Sequence, residues 1–263
     1  MSSTISGSTG SRIRAGVLAA TVLLCIGVSP AGAADITFLC AGALRSTVSE
    51  LIPEFTAMTG HNVKPVFGPI GAHAARVRKG EPVDLAIVSP QQWDILQKEG
   101  KLDASVRPLI AKVGIGVFIK KGATRPDIGS VEAFKSALLT AHSIALGDPD
   151  GGSPVGAYVV RLLDRLGIGA GVAPKLRLVR GAVPIEPVIK GDADIGLAQV
   201  SEIVSVADIE LVGPLPAEIQ NYTVFTAAIP VNAKEQVAAK ALVDFLTSAR
   251  ARSVLKAKGL EHE

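Results

Sequence analysis

Residues 40–45, Cys-Ala-Gly-Ala-Leu-Arg, could hold an anion with their backbone alone. The apolar run 36–39 before them reads as a strand. Leu44, Val48, Leu51, Ile52 and Phe55 after them recur on one face of a 3.6-residue period, so a helix follows at once. The first N–H groups of such a helix have no partner within it and carry the positive end of its dipole. They point beyond the strand's carboxyl end, where an open α/β sheet takes its ligand. Arg45 stands in the first turn, where the dipole disfavours a cation, so its presence asks for a reason. A guanidinium there can grip a carboxylate through two parallel hydrogen bonds.

Other chemistries are not written in the chain. Gly151-Gly152-Ser153-Pro154-Val155 lacks the last glycine of a nucleophile elbow, and there is neither a P-loop nor a His-Glu-x-x-His helix. The four histidines, 61, 73, 142 and 262, are scattered, so no metal and no cofactor are expected. Residues 1–33 read as a cleaved secretory signal: Arg12 and Arg14, an apolar run over 15–28, then Ala31-Gly32-Ala33. That run of about 14 residues is short of the ~20 that span a bilayer. The mature protein, starting near Ala34, is expected to be soluble, monomeric and periplasmic. Without Arg12 and Arg14 the 27 basic residues fall to 25 against 24 acidic ones, and no basic run interleaved with aromatics appears, so nucleic acid is not an expected partner. Only Cys40 remains in the mature chain, which excludes an internal disulfide.

The elements that must position any site alternate strand and helix. Strands are expected at 36–39, 61–67 and 83–89, with helices at 44–55, 72–79 and 91–99. The near-continuous apolar run 83–89 suits a strand buried on both faces of a parallel sheet, with Asp84 as a turn or cap partner. A strand at 113–120 leads to a second set: helix 131–140 capped by Ser130, strand 143–146, helix 154–166 capped by Ser153, strand 176–179, helix 183–190 and strand 194–199. Strands at 210–212 and 222–229 return to the first set, and helices 234–247 and 249–258 complete it. The fold class is α/β, two lobes each with a mostly parallel sheet flanked by helices, joined by two crossings. Lobe I is 34–116 plus 225–263, and lobe II is 117–224.

Four stretches in this order, AGALRSTVSELIPEFTAMTG, FGPIGAHAARVRKGEPVDLAIVS, GDPDGGSPVGAYVVRLLDRLG and VIKGDADIGLAQ, resemble the periplasmic molybdate-binding protein family. These are type 2 binding proteins that deliver oxyanions to ABC importers. The resemblance spans the mature chain and implies a small anionic ligand, an ABC permease as partner, and a ligand site at Ala43, Leu44, Arg45, Ile70, Gly71, Ser89, Ser153, Val155, Arg180, Gly181 and Gln199. In the family, serines in the first two strand–helix corners donate hydroxyls to the oxyanion. Ala43 and Ile70 stand there here, and Gln199 aligns with a late tyrosine. Each buried oxygen left unpaired costs about 1–3 kcal/mol, so a small carboxylate held by Arg45 and Arg180 is expected rather than molybdate. The chain is also similar to a periplasmic aconitate isomerase on the same fold, which implies cofactor-free allylic proton transfer. His73, Asp148 and Glu202 are the candidate bases for that alternative.

Overall fold

The computed structural model describes residues 32–105 and 107–262; the expected secretory signal lies outside them, save its last two residues. Strands that bury both faces need helices on both, and the chain meets this need twice. The first run is β1 (Asp35–Ala41), α1 (Arg45–Thr59), β2 (Asn62–Gly68), α2 (Ile70–Arg78), β3 (Leu85–Val88), α3 (Pro90–Lys98) and β4 (Leu109–Val113). The second is β5 (Ile115–Lys120), α4 (Val131–Thr140), β6 (Ile144–Gly147), α5 (Pro154–Arg165), α6 (Gly169–Val172), β7 (Leu176–Val179), α7 (Glu186–Lys190), β8 (Ile195–Gln199), α8 (Val200–Ile203) and β9 (Ile209–Pro214). Then β10 (Thr223–Ala228), α9 (Gln236–Leu246) and α10 (Ala249–Ala257) close the chain.

The strands form two five-stranded sheets, ordered β2-β1-β3-β10-β4 and β7-β6-β8-β5-β9. Each has a reversed strand in fourth place: β10 is antiparallel to β3 and β4, and β5 is antiparallel to β8 and β9. The period of two sorts the core. Leu85 and Ile87 of β3 pack with Val48, Phe55 and Leu242, while Ala86 and Val88 face Val77, Trp93 and Leu96. In the second sheet Ile144 and Leu146 join Phe134, Val159 and Leu162, while Ala145 meets Phe118 and Val188.

The chain passes between the sheets at Gly114 and again over residues 215–222, and the two crossings are tied together. The Gln220 amide accepts from Ile115 N (2.8 Å) and donates to Ile115 O (2.9 Å). A Cβ on Gly114 would lie 2.8 Å from Gln220 Nε2, so glycine is what lets the crossings touch. Asp84 accepts from Thr37 N (2.8 Å), Lys234 N (3.0 Å) and Glu235 N (3.0 Å), joining β1, β3 and the start of α9.

Three expectations need correction. The single strand at 113–120 is two strands in different sheets, because the chain crosses at Gly114; β4 went unread because Pro108 and Lys112 break its apolar pattern. The strand at 210–212 does not return to the first sheet: β9 pairs with β5 in the second, and only β10 goes back. The helix expected at 183–190 begins at Glu186, because residues 183–185 form a tight turn in which Ile185 N donates to Val183 O (2.8 Å).

Candidate functional site

At the first corner β1 runs into a 3₁₀ turn, Gly42–Leu44, and then α1. Ala43 and Leu44 turn their side chains into the core, so the Gly42–Leu44 turn itself offers peptide N–H groups and no hydroxyl; Ser46 and Thr47 follow in the first turn of α1, the first half-buried and the second buried. No side chain caps this turn or α1. A Cβ on Gly42 would meet nothing within 4 Å, so the space above the corner is open. Arg45 lies with its guanidinium 3.9 Å from the centre of the Phe67 ring. Among the described residues six arginines hold carboxylates, while Arg45, like Arg161, Arg165, Arg177 and Arg252, holds none; of these five Arg45 alone stands at a strand–helix corner of the first sheet.

The second corner follows Phe67 directly. β2 ends at Gly68, and α2 starts after Pro69, again with no side-chain cap. Ile70 packs against the first core, and Gly71 is exposed. His73, a candidate base, is 2% exposed. Its Nδ1 is 3.0 Å from Ile87 O, and its Nε2 is buried without a partner. Burial holds its pKa below the ordinary range and Arg76 adds to this, against the opposing pull of the Ile87 bond.

At the third corner Ser89 is occupied as a cap: its Oγ accepts from Gln92 N (3.2 Å), and Gln92 Oε1 accepts from Ser89 N (3.0 Å). Gln92 Nε2 lies 3.6 Å from where a Gly71 Cβ would be, bringing the second and third corners together. Gln92 was not foreseen as a site residue, although the Ser-x-x-Gln spacing that orients it is plain in the sequence.

The second sheet presents its corners at the same carboxyl ends of parallel strands. Ser153 caps α5, accepting from Gly156 N (3.0 Å), and Val155 packs against the second core. Gly156 is required there, since a Cβ would sit 1.9 Å from Gly147 O. Asp148 accepts from Asp150 N and Arg180 Nε, both at 2.9 Å. Arg180 holds the Asp148 carboxyl below the usual carboxylate range, which makes it a weak base. Gly181 takes a left-handed φ of 73°. Gln199, ending β8, donates from Nε2 to Thr223 Oγ1 (2.9 Å) at the start of β10. Its neighbour Val200 donates to Gly114 O (3.0 Å). Burial pushes the Glu202 carboxyl up, against a long bond from Gln199 N at 3.4 Å.

Ala43, Leu44, Arg45, Ile70, Gly71 and Ser89 thus line one edge of the first sheet, and Asp148, Ser153, Val155, Arg180 and Gly181 the matching edge of the second. Gln199 and Glu202 bridge them, since α8 rests on the Gly42–Leu44 turn and Val200 packs into the first core. A cavity of about 690 Å³ opens at the opposite end of the second sheet, beside Lys120, Ser136, His142 and Asp194. None of the candidate residues lines it, and its arginine, Arg125, is already held by Glu210. Among the described residues no three His, Cys, Asp or Glu side chains converge as a metal site would require.

Two α/β sheets joined by paired crossings, with helix starts along facing strand ends, define a two-lobe solute receptor. The chain belongs to the bacterial extracellular solute-binding protein family, whose model matches residues 36–261. It is 29% identical to an aconitate isomerase of Pseudomonas sp over 236 residues, covering 86% of this chain and 87% of that one. It is 26% identical to the molybdate-binding protein ModA of Escherichia coli K12 over 230 residues, covering 85% and 88%. The solved structure of the Azotobacter vinelandii periplasmic molybdate-binding protein superposes with a TM-score of 0.67 at 19% identity, over 86% of this chain and 98% of that one.

Proposed function

We propose that this solute-binding protein captures a small carboxylate anion in the periplasm and presents it to an ABC permease. In this reading it acts as a monomer whose lobes, 34–116 plus 225–263 and 117–224, close about the two crossings. The observation that carries the reading is Arg45: an arginine without a carboxylate partner, laid on Phe67 between two uncapped helix starts. The absence of hydroxyls at Ala43 and Ile70 weakens the case for molybdate, because a tetrahedral oxyanion in a dry site needs a donor for each oxygen.

The test is thermal unfolding of the mature protein with molybdate, tungstate, sulfate, citrate, malate, and cis- and trans-aconitate. A ligand at 100 times its Kd adds about 2.7 kcal/mol, and each kcal/mol raises Tm by roughly 2–4 °C in a domain of this size. A shift of several degrees with a carboxylate and none with molybdate is expected; no shift with any carboxylate refutes the reading. A second reading, isomerisation of unsaturated tricarboxylates, is favoured by the identity with the Pseudomonas isomerase and by the neutral His73 and desolvated Glu202 near the corners. Incubating trans-aconitate with the protein in D₂O, followed by NMR, tests it: neither cis isomer nor deuterium uptake leaves binding alone.

A further inference from the structure

Gln92 is held in one orientation and keeps a donor to spare. Its amide oxygen accepts from Ser89 N at 3.0 Å, and a backbone N–H can only donate, so the other end of the amide is the NH₂. Ser89 Oγ accepts from Gln92 N in return, and the reciprocal pair locks the side chain onto the first turn of α3. Among the described residues Nε2 donates to nothing, yet it is not sealed from solvent as the partnerless nitrogens of His73 and Trp93 are. It stands beside the first turn of α2, 3.6 Å from the position a Gly71 Cβ would take. Gly71 is exposed and has no side chain to cover it.

The sheet sets this donor apart from Arg45. α1 packs on the face of the first sheet formed by Leu85 and Ile87, while α2 and α3 pack on the face of Ala86 and Val88. The strand ends therefore have the Arg45 guanidinium on one face, over Phe67, and the Gln92 amide on the other, beside Gly71. A carboxylate that meets Arg45 through two parallel hydrogen bonds uses both its oxygens. Gln92 is then left for a second acidic group. The first two N–H groups of α2, those of Ile70 and Gly71, have no partner within the helix and stand on the same side. All of these are donors, which suits an ionised carboxylate, an acceptor only.

We infer that Gln92 Nε2 is a specificity-determining donor, taking a second carboxylate of the bound anion, so that the site selects di- and tricarboxylates over monocarboxylates. This rests on the reading of the Arg45 corner as a carboxylate site.

The test is calorimetric titration of the mature protein with citrate, glutarate, succinate and butyrate, using the wild type, Gln92→Glu and Gln91→Glu. Glutamate at 92 keeps an oxygen for Ser89 N but turns the donor beside Gly71 into a charged acceptor, so the cap survives and the inferred bond cannot form. Gln91 is exposed on the same first turn, and glutamate there adds the same charge without holding that position. The wild type is expected to bind the polycarboxylates about tenfold or more tighter than butyrate, the size of one charge-assisted hydrogen bond. Gln92→Glu is expected to weaken them about tenfold or more beyond the loss in Gln91→Glu, while butyrate, held by Arg45 alone, separates the two variants by less than about twofold. Should Gln92→Glu fail to fold, Gly71→Ala decides. Its backbone is helical and its methyl would lie against Nε2, so the same loss of polycarboxylate affinity is expected against the wild type. Butyrate bound as tightly as the other three by the wild type, polycarboxylate losses alike in the two glutamate variants, or full polycarboxylate affinity in folded Gly71→Ala overturns the inference and leaves the carboxylate reading standing. No binding of any of the four acids by the wild type overturns the carboxylate reading itself, and this inference with it.

Discussion

Replacing Arg45 by glutamine probes the carboxylate site most directly, because the structure separates what Arg45 does for folding from what it does for a ligand. For folding its two effects oppose. The guanidinium over Phe67 at 3.9 Å is an exposed cation–π contact, worth about 0.5–1 kcal/mol. Its charge at the start of α1 opposes the helix dipole by about 0.3–1 kcal/mol. The unliganded variant is therefore expected to melt within about 3 °C of the wild type, at roughly 2–4 °C per kcal/mol. For a carboxylate the loss does not cancel. Charge-assisted hydrogen bonds are worth about 1.5–3 kcal/mol, and 1.4 kcal/mol is tenfold in Kd, so affinity should fall by roughly 10- to 150-fold. Titration calorimetry at low and high ionic strength checks both magnitude and cause, since the wild-type Kd should weaken with salt more than the variant's. Arg180→Gln is the matched control: Arg180 already pairs with Asp148 at 2.9 Å and must leave that partner to serve a ligand. A variant at Arg45 that binds within twofold of the wild type, or a larger loss at Arg180 than at Arg45, refutes the reasoning.

Two further substitutions test the frame around the site. Asp84→Asn turns one acceptor oxygen, facing the N–H groups of Thr37 or of Lys234 and Glu235, into a donor. A cost of about 2–3 kcal/mol and a Tm loss of roughly 5–10 °C are expected, with ligand affinity unchanged; a loss under about 1 °C would show that these bonds are replaced by solvent. Glu202→Gln tests desolvation by its pH signature. The folded carboxyl titrates above its ordinary 4.5, so the native state binds the proton more tightly, and wild-type stability falls as pH rises from about 4.5 through the folded pKa. The amide can still accept from Gln199 N, so the variant should melt higher than wild type at pH 7 and converge with it near pH 4. Parallel melting curves across that range would mean the carboxyl is solvated.

The strands and helices were legible where burial is two-sided or periodic. The run 85–88 and the stripe Val48, Leu51, Phe55 needed no tertiary information, and the two serines read as caps, 130 and 153, each accept the N–H three residues on. What failed were the crossings. Gly114 looked like a weak point within one strand, because nothing local says that the residues on either side pair in different sheets. The side-chain tie that fixes the crossing comes from Gln220, 105 residues away from Ile115. The site was half legible. Arg45 lies beside an open helix start in the sequence itself, but its place on Phe67 depends on β1 and β2 pairing Cys40 with Phe67, a register no local pattern encodes. The burial of His73 was not legible, because its helix is only nine residues long and no stripe marks its inner face. Its burial follows from the position of β3, whose Ile87 carbonyl supplies the partner.

The distribution of caps singles out the first two corners without reference to any relative. Ser89, Ser130, Ser153 and Ser248 cap α3, α4, α5 and α10 with their own hydroxyls. The start of α9 has no such cap, but Asp84 reaches it from β3 and takes the Lys234 and Glu235 N–H groups. Among the described helices of nine residues or more, α1, α2 and α9 have no side-chain cap, and of these only α9 has a side chain, Asp84, on the N–H groups that lead into it. A missing cap costs about 1 kcal/mol, and four of these seven helices carry a serine to supply one. The two exceptions flank the same strand end, at Phe67 and Gly68, where Arg45 stands without an acid and His73 without a donor. Open N–H groups and a guanidinium without an acid at one strand end are all donors, so they suit the carboxylate proposed above.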